Sequence, residues 1–240
     1  MLKIQKKWLI VFLLPATALF IFIYAVPLVM LVATSFTDWV VASRPVFNGL
    51  ENYIRLFAQD KQFLRAGWNT IIWMILQSTV HVGIGVLTAL ILERKRFYWK
   101  FVRTVYMFPN IISSAAIGMM FVMILNPSFG AVNSLLHILG FENLPNWFMD
   151  PRTAFWAVTF TWLPYAATVT ILVMAEMTSM DSSIMEAAKI DGATEFQTNI
   201  YIVLPLMKNI IGTSTILAAT SMLQKVDIIM MTSKGGPGDR

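Results

Sequence analysis

The residues best placed to do chemistry in this sequence are ionisable side chains set inside apolar runs: Glu176, Lys225, Asp227 and the ring of His81. A charge in hydrocarbon is costly, so such residues usually have a role. Their spacing argues against catalysis. Lys225 and Asp227 are two positions apart, so on a helix they do not face each other, and Glu176 stands at the end of its run, where it reaches an interface. No pair sets an acid beside a base. Cysteine is absent, which removes thiol nucleophiles, disulfides and Cys-based metal sites. His81 and His137 are too few for a metal cluster, and His81 suits a hydrogen bond between helices. No G-x-x-x-x-G-K-[ST] loop is present to cradle nucleotide phosphates. The chemistry left is non-covalent. Gln77, Asn110, Trp162 and Tyr165 can hydrogen-bond to and stack on a polar solute, while Lys225 and Asp227 can line its path. Each has a plainer alternative: most aromatics in such runs are packing or belt residues, and Lys225 can snorkel outward. The sixteen methionines read as adaptable packing.

The elements that must position these residues are membrane spans. Charged residues make up 13% of the 240 and hydrophobic ones 57%, whereas soluble domains carry roughly 25% charged residues. Mean hydropathy is +0.67. The net charge of +5 therefore reads as topology and not as affinity for nucleic acid. Apolar runs predict five spans at about 8–33, 68–92, 104–125, 153–177 and 210–231. Together they make an all-α polytopic bundle, a single transmembrane domain over 1–240. The first run follows Lys3, Lys6 and Lys7 but exceeds the roughly 7–15 residues of a signal-peptide core. An uncleaved helix is expected, kinked or ended at Pro27.

Basic residues set the orientation. Lys3, Lys6 and Lys7, then Arg94, Lys95, Arg96, Lys100 and Arg103, then Lys189 and Lys208 all fall on one side, and the loops 34–65 and 126–152 carry half as many. The positive-inside rule puts the N-terminus in the cytoplasm. Loop 34–65, with FNGLENYIRLF, is too aromatic for a plain linker and predicts a short interfacial helix. Five spans leave the C-terminus outside on a Gly-Gly-Pro-Gly turn, which predicts a sixth helix beyond Arg240.

One cytoplasmic stretch breaks the apolar pattern, Met180 to Asn209. Ser183 and Glu186 match the S-x-x-E capping box, and Ile184, Ala187, Ala188 and Asp191 share a helical face. Asp191-Gly192 is a turn dipeptide. Thr194 and Gln197 repeat the capping pattern and open a second helix, with Phe196, Ile200 and Val203 on one side and Pro205 ending the ladder. The result is a helix–turn–helix hairpin whose paired alanines admit another surface close to the backbone. By pattern alone it is equally an interfacial anchor in which Glu186 only caps its own helix.

EAAKIDGA (186–193), followed by Phe196, Ile200 and Leu204-Pro205, resembles the EAA loop of ABC importer permeases. FNGLENYIRLF, the segments 109–133 and 162–188, and DIIMMTSKGGPG (227–238) are similar to the branch that carries maltose and glycerol-phosphate permeases, so the likeness covers most of the chain. The tryptophan frequent in that branch's third helix gives way here to the stretch Gly118–Phe121. The resemblance implies an ABC importer type I permease fold in a prokaryotic inner membrane. It implies a coupling loop over 180–209 in which Glu186, Ala187, Ala188, Asp191, Gly192, Ala193, Phe196, Leu204 and Pro205 meet an ATPase subunit. It also implies partners: a second homologous permease, two ABC ATPases and an external or periplasmic solute-binding protein. The chain itself would bind no cofactor, ATP and magnesium belonging to the ATPases, and would take up a sugar or related polar solute. The rival classes are a membrane-embedded enzyme or scaffold, which the scattered charges disfavour, and an ion-coupled carrier, which has no need of the hairpin.

Overall fold

The computed structural model describes residues 6–40, 43–93, 97 and 99–236. Lys3 and Arg94 to Arg96 of the basic clusters, and the end of the Gly-Gly-Pro-Gly turn, lie outside the described residues. The chain divides after Leu64 into two units.

In the first unit, α1 (Lys7–Ser35) is apolar and exposed around its circumference, the pattern of a helix solvated by hydrocarbon. Pro27 does not end it. A wider turn at Ile21–Ala25 stands just ahead of Pro27 and gives room for a residue that has no N–H to offer the ladder. Beyond α1, β1 (Thr37–Asp38) pairs antiparallel with β2 (Val46–Phe47). The helix α2 (Glu51–Ile54) then runs on as a wide turn through Gln59. The Asn52 amide donates to the carbonyls of Ser35 at 3.0 Å and Thr37 at 2.9 Å, and the Ser35 hydroxyl lies 2.6 Å from that of Tyr53. The loop thus holds its short helix, preceded by a hairpin.

The second unit carries the rest. After α3 (Lys61–Glu93) come α4 (Trp99–Met107), α5 (Ser114–Ile124), α6 (Ala131–Ile138), α7 (Ala154–Trp162) and α8 (Ala167–Ser179). The hairpin helices are α9 (Ser182–Ile190) and α10 (Glu195–Leu206), followed by α11 (Lys208–Met222) and α12 (Asp227–Thr232). Among the described residues three helices are long and apolar enough to cross a membrane, and the total is up to five if each bent pair counts as one span. Three of the runs expected as single spans, 104–125, 153–177 and 210–231, are divided. The chain turns by 101° between α4 with its closing turn and α5, where Pro109 cannot continue a helix. A break at 163–166 separates α7 from α8, and another at 223–226 separates α11 from α12.

Two apolar clusters hold this unit together. One gathers Trp73, Phe121, Phe148, Trp162, Met222 and Ile228. The other joins Val82, Val86 and Ala89 of α3 to Val169 and Val173 of α8, Ala218 of α11, Val203 of the hairpin, and Met207. Four more methionines, Met174, Met177, Met180 and Met185, pack against it, the adaptable filling their number suggests. Small residues permit the close approach of α3 and α8, as in other membrane helix pairs. A Cβ on Gly85 would come within 2.6 Å of the Val169 Cβ and 3.2 Å of the Ala166 Cβ. The Thr170 hydroxyl donates to the Gly85 carbonyl at 3.1 Å. Gly85→Ala therefore forces the two helices apart at a cost of about 1–3 kcal/mol. A lowered melting temperature of the purified protein is the expected reading, and an unchanged one contradicts this packing.

Candidate functional site

The hairpin is built by its caps. Asp181, in extended conformation, accepts from the Ser183 N–H at 2.9 Å and is the cap of α9. The capping box expected at Ser183 and Glu186 is therefore displaced: the helix begins at Ser182, so Glu186 lies too far inside to reach back to the cap and is left exposed. The Ser183 N–H, and then the Ser183 hydroxyl, hold the Asp181 carboxyl below its ordinary pKa. A depressed carboxyl adds stability that is full above its unfolded pKa and is lost as pH falls through the folded one. The far end of α9 closes on Gly192, at φ +78°. The Gly192 N–H reaches the Lys189 carbonyl at 3.2 Å and the Ala193 N–H the Ala188 carbonyl at 3.0 Å, the two bonds of a Schellman cap. Thr194 and Gln197 do form the reciprocal box that their spacing predicts, the Gln197 N–H donating to Thr194 Oγ1 at 3.3 Å and the Thr194 N–H to Gln197 Oε1 at 2.8 Å. Pro205 does not end α10; the helix runs to Leu206 and bends by 69° into α11.

Burial gives the hairpin two faces. Glu186, Ala187, Asp191 and Phe196 are exposed. Ala188 is 6% exposed and Val203 1%, so Ala188, expected to face outward beside Ala187, packs inward instead. Leu204 is half-buried against the second cluster. Asp191, Gly192, Ala193, Gln197, Tyr201 and Ile202 surround a concavity of about 330 Å³ on the turn.

The second feature is a cavity of about 290 Å³ inside the bundle. Gln77, Asn110, Trp162, Tyr165 and Lys225 all line it, so five solute-contact candidates dispersed in sequence meet in space. Asp227 does not: it is exposed and accepts from the Ser114 hydroxyl at 3.2 Å. The break between α11 and α12 turns the two charges apart. All three helix interruptions contribute wall residues, Pro109, Asn110 and Ile112 from the first, Tyr165 from the second and Lys225 from the third. Interrupted helices of this kind are the form polar sites take within membrane bundles.

Neighbouring side chains answer the backbone groups freed at 163–166. His81 Nδ1 lies 2.9 Å from the Leu163 carbonyl, which can only accept, so that nitrogen carries the proton. The Tyr106 hydroxyl donates to the Pro164 carbonyl and accepts from the Ala166 N–H, both at 3.1 Å. Trp162 is fixed by Trp73, an edge-on ring at 5.9 Å whose own N–H donates to the Thr159 hydroxyl at 2.7 Å. Three buried polar atoms on the cavity wall have no hydrogen-bond partner in the structure: Gln77 Oε1, Trp162 Nε1 and Ser214 Oγ. Sequence reasoning missed Tyr106 and Ser214. Ser214 sits in a run of small polar residues, GTSTILAATS, with nothing to single it out.

Residues 81–237 match the family model described as binding-protein-dependent transport system inner membrane component. The chain belongs to that family. The permease is 30% identical over 233 residues to the probable ABC transporter permease protein YurN of Bacillus subtilis, covering 95% of this chain and 79% of the relative. It is 28% identical over 237 residues to the probable starch degradation products transport system permease AmyD of Thermoanaerobacterium thermosulfurigenes, covering 97% and 78%. Among solved structures it resembles a bacterial alginate ABC transporter in complex with an alginate pentasaccharide-bound periplasmic protein, with TM-score 0.79 and 25% identity over 95% of this chain and 77% of that one. The chain is thus an all-α inner-membrane component of a transport system and not an enzyme.

Tyr106 is the simplest part to test, since one hydroxyl serves two backbone groups. Tyr106→Phe takes that partner from the Pro164 carbonyl and the Ala166 N–H, which keep their own 3.1 Å bond to each other, at a cost of about 0.5–1.5 kcal/mol. Faster hydrogen exchange confined to residues 163–168 is the expected result. Exchange unchanged there contradicts the role given to Tyr106.

Proposed function

We propose that this permease forms half of the pore of an ATP-driven importer for a sugar or related polar solute, and that its hairpin is the coupling element. The observation that carries the reading is the division of the hairpin into two faces. Glu186, Ala187 and Asp191 are exposed, while Ala188, Val203 and Met207 are buried, the last two in the cluster that joins α3, α8 and α11. A surface docked on the outer face would move the bundle through the inner one. Glu186 is placed to pair with a basic group of an ATPase subunit, and the small Ala187 side chain lets that partner approach the helix closely.

The remaining parts of the reading follow from the charge distribution and the relatives. The N-terminus and the hairpin lie in the cytoplasm, where the basic residues collect. Two ABC ATPases carry ATP and magnesium, this chain binding no cofactor. A second homologous permease completes the pore, and an external binding protein delivers the solute, in keeping with the family's description as binding-protein-dependent. A sugar is favoured by the starch-product and alginate systems among the relatives. The cavity offers a suitable path: Trp162 and Tyr165 contribute aromatic rings to its wall, and Gln77, Asn110 and Ser214 contribute polar side chains. ATPase closure would then expose the cavity alternately to the two sides by a rigid-body movement, with no covalent step.

Glu186→Ala removes the outward carboxylate, and Gly192→Pro cannot adopt the positive φ of the Schellman cap. Both variants should insert normally, retain less ATPase on purification, and lose uptake on the order of tenfold, the scale of one interface anchor. Uptake at the wild-type rate in both variants would contradict the coupling role.

A further inference from the structure

We propose that Lys225 selects for an anionic group on the solute, so that the cavity takes a saccharide bearing a carboxylate, sulfonate or phosphate in preference to a neutral one. The proposal rests on the reading of the cavity as the solute path. Lys225 lies in the break between α11 and α12 and lines the cavity wall, its ammonium 5.9 Å from the centre of the Trp162 ring. Among the described residues no aspartate, glutamate or arginine shares that wall. The nearest acidic residue in sequence, Asp227, lies off that wall, exposed and accepting from the Ser114 hydroxyl, and among the described residues no carboxylate pairs with Lys225. His81 brings no negative charge, and its Nδ1 is committed to the Leu163 carbonyl.

An ammonium half-buried on the wall of a membrane cavity without a counter-charge is costly. The face of Trp162 offsets only part of that cost. A neutral solute entering the cavity displaces what solvation remains and makes the cost worse. A solute anion removes it and gains a charge-assisted hydrogen bond, roughly twice as strong as a neutral one. The neighbouring groups specify the rest of the ligand. Trp162 Nε1 is a donor without a partner, Gln77 Oε1 an acceptor without one, and Ser214 Oγ serves as either. Groups of both kinds beside one cation fit hydroxyls beside one anion, which is the pattern of an acidic saccharide.

The test uses the importer assembled with its partner permease and ATPases in nanodiscs, with the binding protein omitted so that its own selectivity does not enter. The probes are a glucuronic acid trisaccharide and its methyl ester, which keeps the ring hydroxyls and lacks the charge. The wild type should bind the acid at least about tenfold more tightly than the ester. Lys225→Gln should abolish the difference by weakening the acid alone, and Lys225→Arg should restore it. Equal binding of acid and ester by the wild type overturns the proposal, as does discrimination that survives in Lys225→Gln. Loss of assembly in Lys225→Gln also overturns it, because the partner of Lys225 would then be a neighbouring subunit. A wild type that binds neither probe overturns the solute-path reading as well.

Discussion

Within a membrane span a carbonyl or amide released by a broken turn has no water to bond, so it must find a side chain or the helix must stay whole. This constraint organises the bundle. The interruption at 163–166 persists because His81 from α3 lies against the Leu163 carbonyl and Tyr106 from α4 serves both the Pro164 carbonyl and the Ala166 N–H. Those bonds tie three separate segments at one level, and the polar residues of the cavity lie where they meet. A continuous helix would bury Tyr165 or Lys225 in packing or turn it toward lipid. The breaks bring such residues onto a common wall.

The second consequence concerns how movement would travel. Packed interiors have little free volume, so a displaced element carries its neighbours with it. The hairpin is continuous with such an interior: Val203 and Met207 are 1% and 0% exposed and belong to the same apolar cluster as the valines of α3 and α8. On the proposed function, force applied at Glu186 and Ala187 reaches the cavity through that cluster. Methionines around it supply contacts that survive small shifts. The tight approach at Gly85 keeps α3 and α8 moving together.

How far the sequence discloses all this depends on whether the signal is local. Hydropathy located the apolar runs, and the Thr194–Gln197 box and the Gly192 turn could be read directly, because each depends on a few neighbouring residues. The cap of α9 was misplaced since Asp181 and Ser183 both suit the role, and only backbone geometry decides between them. The divided spans were invisible to an averaged apolar window, and the break at 223–226 has neither proline nor glycine to mark it. Chemical type alone picked out Gln77, Asn110, Trp162, Tyr165 and Lys225, which the fold does gather. It also picked Asp227, which the fold turns away, because two charges two residues apart diverge across a break. Tyr106 and Ser214 had no distinguishing neighbours, and their roles exist only through tertiary contacts.

The central claim is that the outer face of the hairpin docks against an ATPase, and the absence of native cysteine makes it directly measurable. A single cysteine at Ala187, paired with single cysteines along the cleft of the partner ATPase, should cross-link on mild oxidation in the assembled importer. Uptake should stop with the cross-link and return on reduction. An importer that assembles and pumps while Ala187→Cys cross-links to no ATPase position, or that keeps pumping once linked, would contradict the account.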